Sequence, residues 1–295
     1  MKKLLSLFFI VLSISTHVAL GQLYSFKNYN YREGLAFSNI KDIVQTNDGN
    51  IWLASEEGGL IRFNGKSFQE IQENNYNLTN TVSISKAKDN SIFFASKNKG
   101  IFQLIEGKIN LIYQNKRQSS KFSGVYALND AMVFVFNKTI LVYRDNKIIS
   151  QKRLSSKFEE ITPYEFIASK NGGILLSNLG GFYISQRTNE ISFLSNFIND
   201  KENKVYKTGY FNKDKFTLFD EGLSYYSDII VNAEGNFEAI NNYQINSPLW
   251  NNDAAYTSTY ISSMKNILLF QKMVSYTILT VKALQKLNPT RMKSL

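Results

Sequence analysis

Two stretches of this chain, residues 48–60 and 89–101, repeat one another at a spacing of 41 residues. They read DGNIWLASEEGGL and DNSIFFASKNKGI, so aspartate, isoleucine, alanine, serine and glycine recur at the same places. A period of this length, rich in β-branched and aromatic residues, is typical of a β-propeller, in which each blade is a four-stranded sheet. The repeat therefore predicts an all-β fold built from blades.

Alternation of apolar and polar residues extends this rhythm along the chain. It predicts five clear blades and a degraded sixth after residue 254, and it leaves open an incomplete ring. Residues 241–253 are predicted to form a loop, and residues 264–288 fit either strands or a basic amphipathic helix, with β-branched residues favouring strands. The aromatic residues Trp52, Phe93 and Phe134 recur at the same spacing and are predicted to pack between blades.

The first 21 residues have the composition of a secretory signal peptide. Lys2 and Lys3 precede an apolar run, and Ala19-Leu20-Gly21 offers small residues for cleavage between Gly21 and Gln22. We therefore expect a signal peptide over 1–21, a propeller over 22–263 and a basic tail over 264–295 that can supply the last strands of a sixth blade. Export places the mature chain in the periplasm or, alternatively, outside the cell, with no membrane span.

Several chemistries are excluded by composition. The chain contains no cysteine, and its single histidine is His17, within the predicted signal. A mature chain without thiols or imidazoles has no Ser-His-Asp triad and lacks the usual zinc ligands, so we expect no metal and no cofactor. The net charge of +10 is concentrated at the ends, because residues 22–263 contain 26 basic and 24 acidic groups. This balance argues against nucleic-acid binding.

Residues 34–65 carry a more specific pattern. Gly34-Leu35 and Asn39-Ile40 precede the string DGNIWLASEEGGLIRFNG, and the whole resembles the two-component regulator propeller repeat. The resemblance weakens in the second blade and persists later only as a common phase. It implies the periplasmic sensor region of a Bacteroidetes-type hybrid histidine kinase, as an N-terminal or truncated copy, and some of these sensors recognise polysaccharide fragments.

The resemblance implies a non-catalytic, ligand-binding sensor propeller whose ligand can be a small molecule or a glycan. Two alternatives remain open: a secreted propeller hydrolase or lyase that uses carboxylates, and a truncated sensor fragment without function. Loop aromatics beside amides are candidate ligand contacts, namely Tyr31, Tyr76 and Trp250. An incomplete ring would expose blade faces, which predicts self-association or a partner chain.

Overall fold

The computed structural model describes residues 29–72, 76, 78–97, 99–114, 121–194, 206–212, 215–220, 225–231, 237–244, 255–261, 266–272 and 280–284. The chain divides into two units, Met1–Ala36 and Phe37–Leu295. The predicted signal peptide and its cleavage point between Gly21 and Gln22 lie outside the described residues.

The described part of the first unit contains one short 3-10 helix, Tyr31–Glu33. Asn30 caps it, because its side-chain Oδ1 accepts the Arg32 amide at 2.8 Å. The Glu33 carboxylate accepts the Asn30 amide at 3.0 Å and completes a capping box. Gly34 ends the helix in the left-handed conformation at φ 88.

The second unit consists of antiparallel sheets in which sequence neighbours pair in order. The first blade contains β1 (Ile40–Gln45), β2 (Ile51–Ser55), β3 (Gly59–Phe63) and β4 (Phe68–Glu70). The second contains β5 (Thr81–Lys86), β6 (Ile92–Ser96), β7 (Gly100–Ile105) and β8 (Lys108–Tyr113). The third contains β9 (Phe122–Leu128), β10 (Ala131–Phe136), β11 (Thr139–Arg144) and β12 (Lys147–Arg153).

Two further four-stranded blades and a three-stranded sheet follow. The fourth blade contains β13 (Pro163–Ser169), β14 (Gly172–Ser177), β15 (Gly180–Ser185) and β16 (Ile191–Phe193). The fifth contains β17 (Tyr206–Asn212), β18 (Lys215–Asp220), β19 (Tyr225–Val231) and β20 (Phe237–Gln244). The last sheet contains β21 (Ala255–Ile261), β22 (Asn266–Lys272) and β23 (Thr280–Leu284).

These sheets confirm the predicted all-β propeller, with five blades and a partial sixth. The loop predicted over 241–253 begins too early, because β20 runs to Gln244. Strands also occupy much of 264–288, as the β-branched residues favour, since β22 pairs with both β21 and β23. The division of the chain at residue 263 stays a prediction.

Four apolar cores lie between successive blades and hold the first five together. The core between blades 1 and 2 joins Trp52 and Ala54 to Ile92 and Phe94. The core between blades 2 and 3 is the richest in aromatic rings, and equivalent cores follow between blades 3 and 4 and between blades 4 and 5. Because the second strands of blades 2 to 4 lie between two such cores, their residues are apolar without alternation.

The prediction that Trp52, Phe93 and Phe134 pack between blades is confirmed, although the three side chains do not all face the same way. Trp52 and Phe93 face the following blade. Phe134 faces the preceding blade instead, and its ring lies 6.1 Å from that of Phe93. The turn between the first and second strands is shorter in blade 3 than in blade 1, because Leu128 pairs with Ala131 whereas Gln45 pairs with Ile51. This change shifts the phase, so Val133 faces the next blade in the third repeat.

Backbone hydrogen bonds also link the blades at the end where β2 turns into β3. The Asn80 amide donates to the Glu56 carbonyl at 2.6 Å, the Lys97 amide to the Asn80 carbonyl at 2.8 Å, and the Phe122 amide to the Lys97 carbonyl at 2.8 Å. Close approach at this end explains Gly59, whose φ is +70 and whose added Cβ would lie 2.7 Å from the Leu78 carbonyl oxygen.

Within the described part of the chain, no helix has the length and apolar character required to cross a membrane.

Candidate functional site

Each of the five four-stranded blades has one bulge near the start of its first strand. In blade 1, Ile40 pairs with Ser55 and Asp42 with Ala54, so Lys41 has no partner in register. The same irregularity recurs on each later first strand. The skipped residues are Lys41, Val82, Ser123, Tyr164 and Lys207. Bulges of this kind re-aim side chains and are frequent beside functional sites.

The first four of these residues line one cavity of about 460 Å³, called here the inner-strand cavity. It is bounded by the first strands of blades 1 to 4, through residues 41–42, 82–85, 123, 125–127, 163–166 and 168. These first strands pack against one another in chain order. The volume is within the range of small-molecule sites.

Side chains of the first strands accept backbone amides of the following blade; we call these contacts latches. Asp42 Oδ2 accepts the Ile84 amide at 2.9 Å and the Ser83 hydroxyl at 3.2 Å. Ser83 Oγ in turn accepts the Val125 amide at 3.1 Å. The two contacts form a relay from blade 3 through blade 2 to blade 1. The Ile84 and Val125 amides, on the edges of blades 2 and 3, are thereby satisfied.

Two more latches continue the pattern. Ser85 Oγ accepts the Ala127 amide at 3.0 Å, and Glu165 Oε2 accepts the Gly209 amide at 2.9 Å. Asp42 and Glu165 therefore both line the cavity while holding neighbouring blades together. Burial raises the pKa of the Asp42 carboxyl above its ordinary value of 3.8, and the hydrogen bonds from Ile84, Ile43 and Ser83 oppose that rise.

An aromatic pair lies at the edge of the cavity between blades 3 and 4. The rings of Tyr126 and Phe166 stack with centroids 5.2 Å apart and planes 24° apart. Burial raises the pKa of Tyr126, and the charge of Asp42 raises it further. Asp42 in blade 1 and Tyr126 in blade 3 both line this cavity.

A charged rim adjoins this cavity. A second cavity of about 460 Å³ shares Lys41, Val82, Ser123 and Pro163 with the first and adds side chains of both signs. The Lys41 ammonium lies 3.0 Å from the Glu56 carboxylate, and that of Lys121 lies 3.4 Å from Glu160. The ion pair with Lys41 holds the pKa of Glu56 below its ordinary value. At these exposures the pairs contribute little to stability.

Grooves also lie between blades at the opposite end, beside the β1–β2 turns. One of about 460 Å³ contains Arg144, whose Nη2 lies 3.2 Å from Asp130 Oδ1. That contact satisfies charge but not hydrogen-bond geometry, since the buried Nε and Nη2 have no hydrogen-bond acceptor. Asp130 also accepts from Gln186. Asp130 and Arg144 thus pair with each other at the wall of this groove, whereas the inner-strand cavity is lined by residues of four blades.

The predicted ligand contacts occupy separate settings. Tyr31 is 80% exposed in the short helix of the first unit. Tyr76 is half-buried, and its ring meets Phe102 edge-on at 5.1 Å, so packing alone accounts for it. Trp250 lies outside the described residues. Tyr76 is not among the residues that line the inner-strand cavity, and the role of all three in ligand binding stays a prediction.

Sequence reasoning missed the residues that do line the cavity. The lining residues Asp42, Ser83 and Glu165, together with Gly124 of blade 3, stand at intervals of 41 residues. The repeat therefore contained the signal, but the position changes chemical type in each blade. Among the described residues, no cluster of three or more acidic, histidine or cysteine side chains is placed to hold a metal ion.

A family model described as "Two component regulator propeller" matches residues 34–57. The resemblance seen in the sequence is confirmed for this first repeat. No curated protein sequence matches the chain.

Solved structures of similar fold include the extracellular domain of BT4673 from B. thetaiotaomicron, described in one structure as a one component system and in another as a hybrid two component system. The second has a TM-score of 0.56 and 12% identity, and the match covers 87% of this chain and 34% of that one. The chain thus spans about a third of that domain. The first gives a TM-score of 0.55, 14% identity and coverage of 85% and 35%.

Two other propellers are similar over most of their length. A catalytically inactive virginiamycin B lyase from Staphylococcus aureus with quinupristin has a TM-score of 0.59 and 14% identity, with 84% of this chain and 80% of that one covered. YCF48 bound to D1 peptide has a TM-score of 0.55 and 12% identity, with coverage of 83% and 80%. At these identities the likeness shows the β-propeller fold alone.

Proposed function

We propose that this chain is the ligand-binding propeller of an exported sensor of the two-component type. Two independent findings support the proposal. The first repeat matches the two-component regulator propeller model. The extracellular domain of BT4673, from a system of that type, has the same fold. The predicted signal peptide over 1–21 supports export to the periplasm, with the extracellular space as the alternative.

The observation that carries a binding role is the repeated bulge. One residue from each of four blades is skipped from the sheet register and lines the same cavity: Lys41, Val82, Ser123 and Tyr164. Val82 also packs against the core between blades 2 and 3, whereas Lys41, Ser123 and Tyr164 belong to none of the four apolar cores. We propose that the bulges present varied side chains to a ligand within the cavity.

The cavity's chemistry fits a glycan fragment. Tyr164 is 38% exposed on the bulge of blade 4, beside the stacked Phe166 and Tyr126. Hydroxyls of Ser85 and Ser123 lie in the same lining. Aromatic faces with a few placed polar groups suit a ring that has apolar C–H faces and a hydroxylated edge.

The test is a thermal-shift and glycan-array screen of the mature chain from Gln22. Neutral and acidic oligosaccharides of plant and animal polysaccharides would serve as probes. We expect at least one to raise the melting temperature in a concentration-dependent way, because a ligand that binds only the folded state stabilises it. An array without a hit would contradict the proposed glycan-sensing function.

One alternative has a specific observation in its favour. Asp42 and Glu165 line one cavity, and the fold is similar to that of a lyase. Both carboxylates, however, already accept backbone amides of the next blade. The inactive lyase carries a histidine-to-alanine change, whereas the only histidine here is His17 in the predicted signal. We therefore propose a non-catalytic role. Glycan turnover that disappears in Glu165→Gln would establish the enzyme instead.

A partner chain or self-association through exposed blade faces stays part of the proposal. Light scattering of the mature chain tests it. A concentration-dependent rise in mass supports association, and a monomer at all concentrations contradicts self-association.

A further inference from the structure

Among the four junctions that join the five described four-stranded blades, the one between blades 3 and 4 has no latch. At intervals of 41 residues the first strands carry Asp42, Ser83, Gly124 and Glu165. Three of these side chains accept an amide of the next blade: those of Ile84, Val125 and Gly209. Gly124 has no side chain to offer. The corresponding amide, that of Phe166, therefore lacks the latch that its counterparts have.

An aromatic ring lies over Gly124, where a side chain at that position would begin. A Cβ added to Gly124 would lie 2.5 to 2.8 Å from the ring and hydroxyl of Tyr126. On the other side, a Cβ added to Gly173 would lie 2.4 Å from the ring of Phe166. The stacked pair therefore lies over two glycines, one on each blade. A larger residue at either position would displace a ring.

In blade 2 the two positions equivalent to Gly124 and Tyr126 hold latch residues. Ser83 and Ser85 accept the amides of Val125 and Ala127. The equivalent residues of blade 3, 41 positions later, are Gly124 and Tyr126. The change removes two hydroxyl acceptors and adds an aromatic face beside Tyr164 and Glu165, all within the cavity lining.

We infer that this exception, the Gly124–Tyr126 pair with the stacked Phe166, is the ligand-recognition subsite of the inner-strand cavity. The inference rests on the proposed function and names the residues that select the ligand. The subsite takes a ring-shaped ligand with one apolar face and a hydrogen-bonding edge. The apolar face lies on the aromatic pair, and the edge meets the Phe166 amide and the Tyr126 hydroxyl.

The test transplants the serine pair of blade 2 onto blade 3, as Gly124→Ser/Tyr126→Ser. We expect the variant to fold, because it copies a pair that already joins two blades, and its melting temperature checks this. Binding of the oligosaccharides of the glycan array should weaken about tenfold or more, since loss of a buried aromatic contact has effects of this order. Tyr126→Leu, which keeps an apolar side chain, serves if the double variant does not fold.

Phe68→Ser is the matched control. Phe68 stacks on Phe63 with centroids 4.4 Å apart, as Tyr126 does on Phe166, but it lies on β4, outside the cavity. Retained binding in the control with loss in the double variant supports the subsite. Equal binding by wild type and the double variant overturns the subsite and leaves the proposed function standing. If the wild-type protein binds no oligosaccharide of the array, both the subsite and the proposed function are overturned.

Discussion

The junction between blades 2 and 3 and that between blades 3 and 4 are built alike in their cores and differently at the cavity. Phe134 in the first and Phe182 in the second are both fully buried among apolar side chains. At the cavity, the first junction has the hydroxyl acceptors of Ser83 and Ser85, whereas the second has the stack of Tyr126 on Phe166. The core therefore holds every blade, while the cavity edge is free to vary.

The largest expected effect tests whether the two cores are equivalent. Phe134→Ala and Phe182→Ala should each lower the free energy of unfolding by about 3–5 kcal/mol, because each leaves a cavity in a packed core. Urea denaturation of the mature chain measures both. A loss at one junction much smaller than at the other would show that the blades are not held alike.

A smaller loss is expected when the relay between blades 1, 2 and 3 is cut. Asp42→Ala leaves the buried amide of Ile84 and the hydroxyl of Ser83 without their shared acceptor. The cost should be about 1–3 kcal/mol in the free energy of unfolding. Asp42→Asn, which keeps an acceptor oxygen, is the control. An alanine variant as stable as the asparagine variant would show that the latch contributes nothing.

A serine introduced at the junction between blades 3 and 4 tests whether a latch can form there. In a Tyr126→Ser background, where the ring no longer occupies the space, Gly124→Ser should stabilise by about 0.5–1.5 kcal/mol. The new hydroxyl would accept the Phe166 amide as Ser83 accepts that of Val125. Comparison of the two backgrounds by urea denaturation measures the gain. Destabilisation by the added serine would mean that no latch fits at this junction.

The smallest effect is a pH dependence specific to Asp42. Burial raises its pKa in the folded state above 3.8, so the folded chain holds a proton at pH values at which the unfolded chain has released it. As the pH falls from 7 through the raised pKa towards 3.8, the free energy of unfolding of the wild type should rise relative to that of Asp42→Asn. Thermal melts of both proteins between pH 4 and pH 7 measure the difference. A difference that stays constant, or changes in the opposite direction, would contradict the raised pKa.

Most of the fold could be predicted from the sequence, because strands and turns depend on neighbouring residues. The 41-residue repeat located blades 1 and 2, whose second strands lie within the two repeated segments, at Ile51–Ser55 and Ile92–Ser96. Spacing alone does not show which neighbouring blade Phe134 faces, because it does not show that the turn at Asn129 and Asp130 is shorter than the equivalent turn of blade 1. A turn shortened by an odd number of residues reverses which face of the strand meets which neighbour.

The site was harder to predict, because its contacts join residues about 42 positions apart through a side chain on one blade and an amide on the next. Asp42 reads from sequence as an ordinary polar residue on an alternating strand, and Gly124 reads as an interruption. Only the superposition of blades makes Gly124 meaningful, as the place where an acceptor is missing. Aromatic residues in loops, such as Tyr31 and Tyr76, were predicted as ligand contacts, because the exposure of a loop can be inferred from neighbouring residues.

The contrast between latched and unlatched amides can be measured directly by hydrogen exchange. In the free mature protein, the amides of Ile84 and Val125, which donate to Asp42 and Ser83, should exchange slowly. The amide of Phe166 should exchange faster, and an oligosaccharide that binds should slow it. A Phe166 amide protected as strongly as the other two in the free protein would contradict an open recognition subsite between blades 3 and 4.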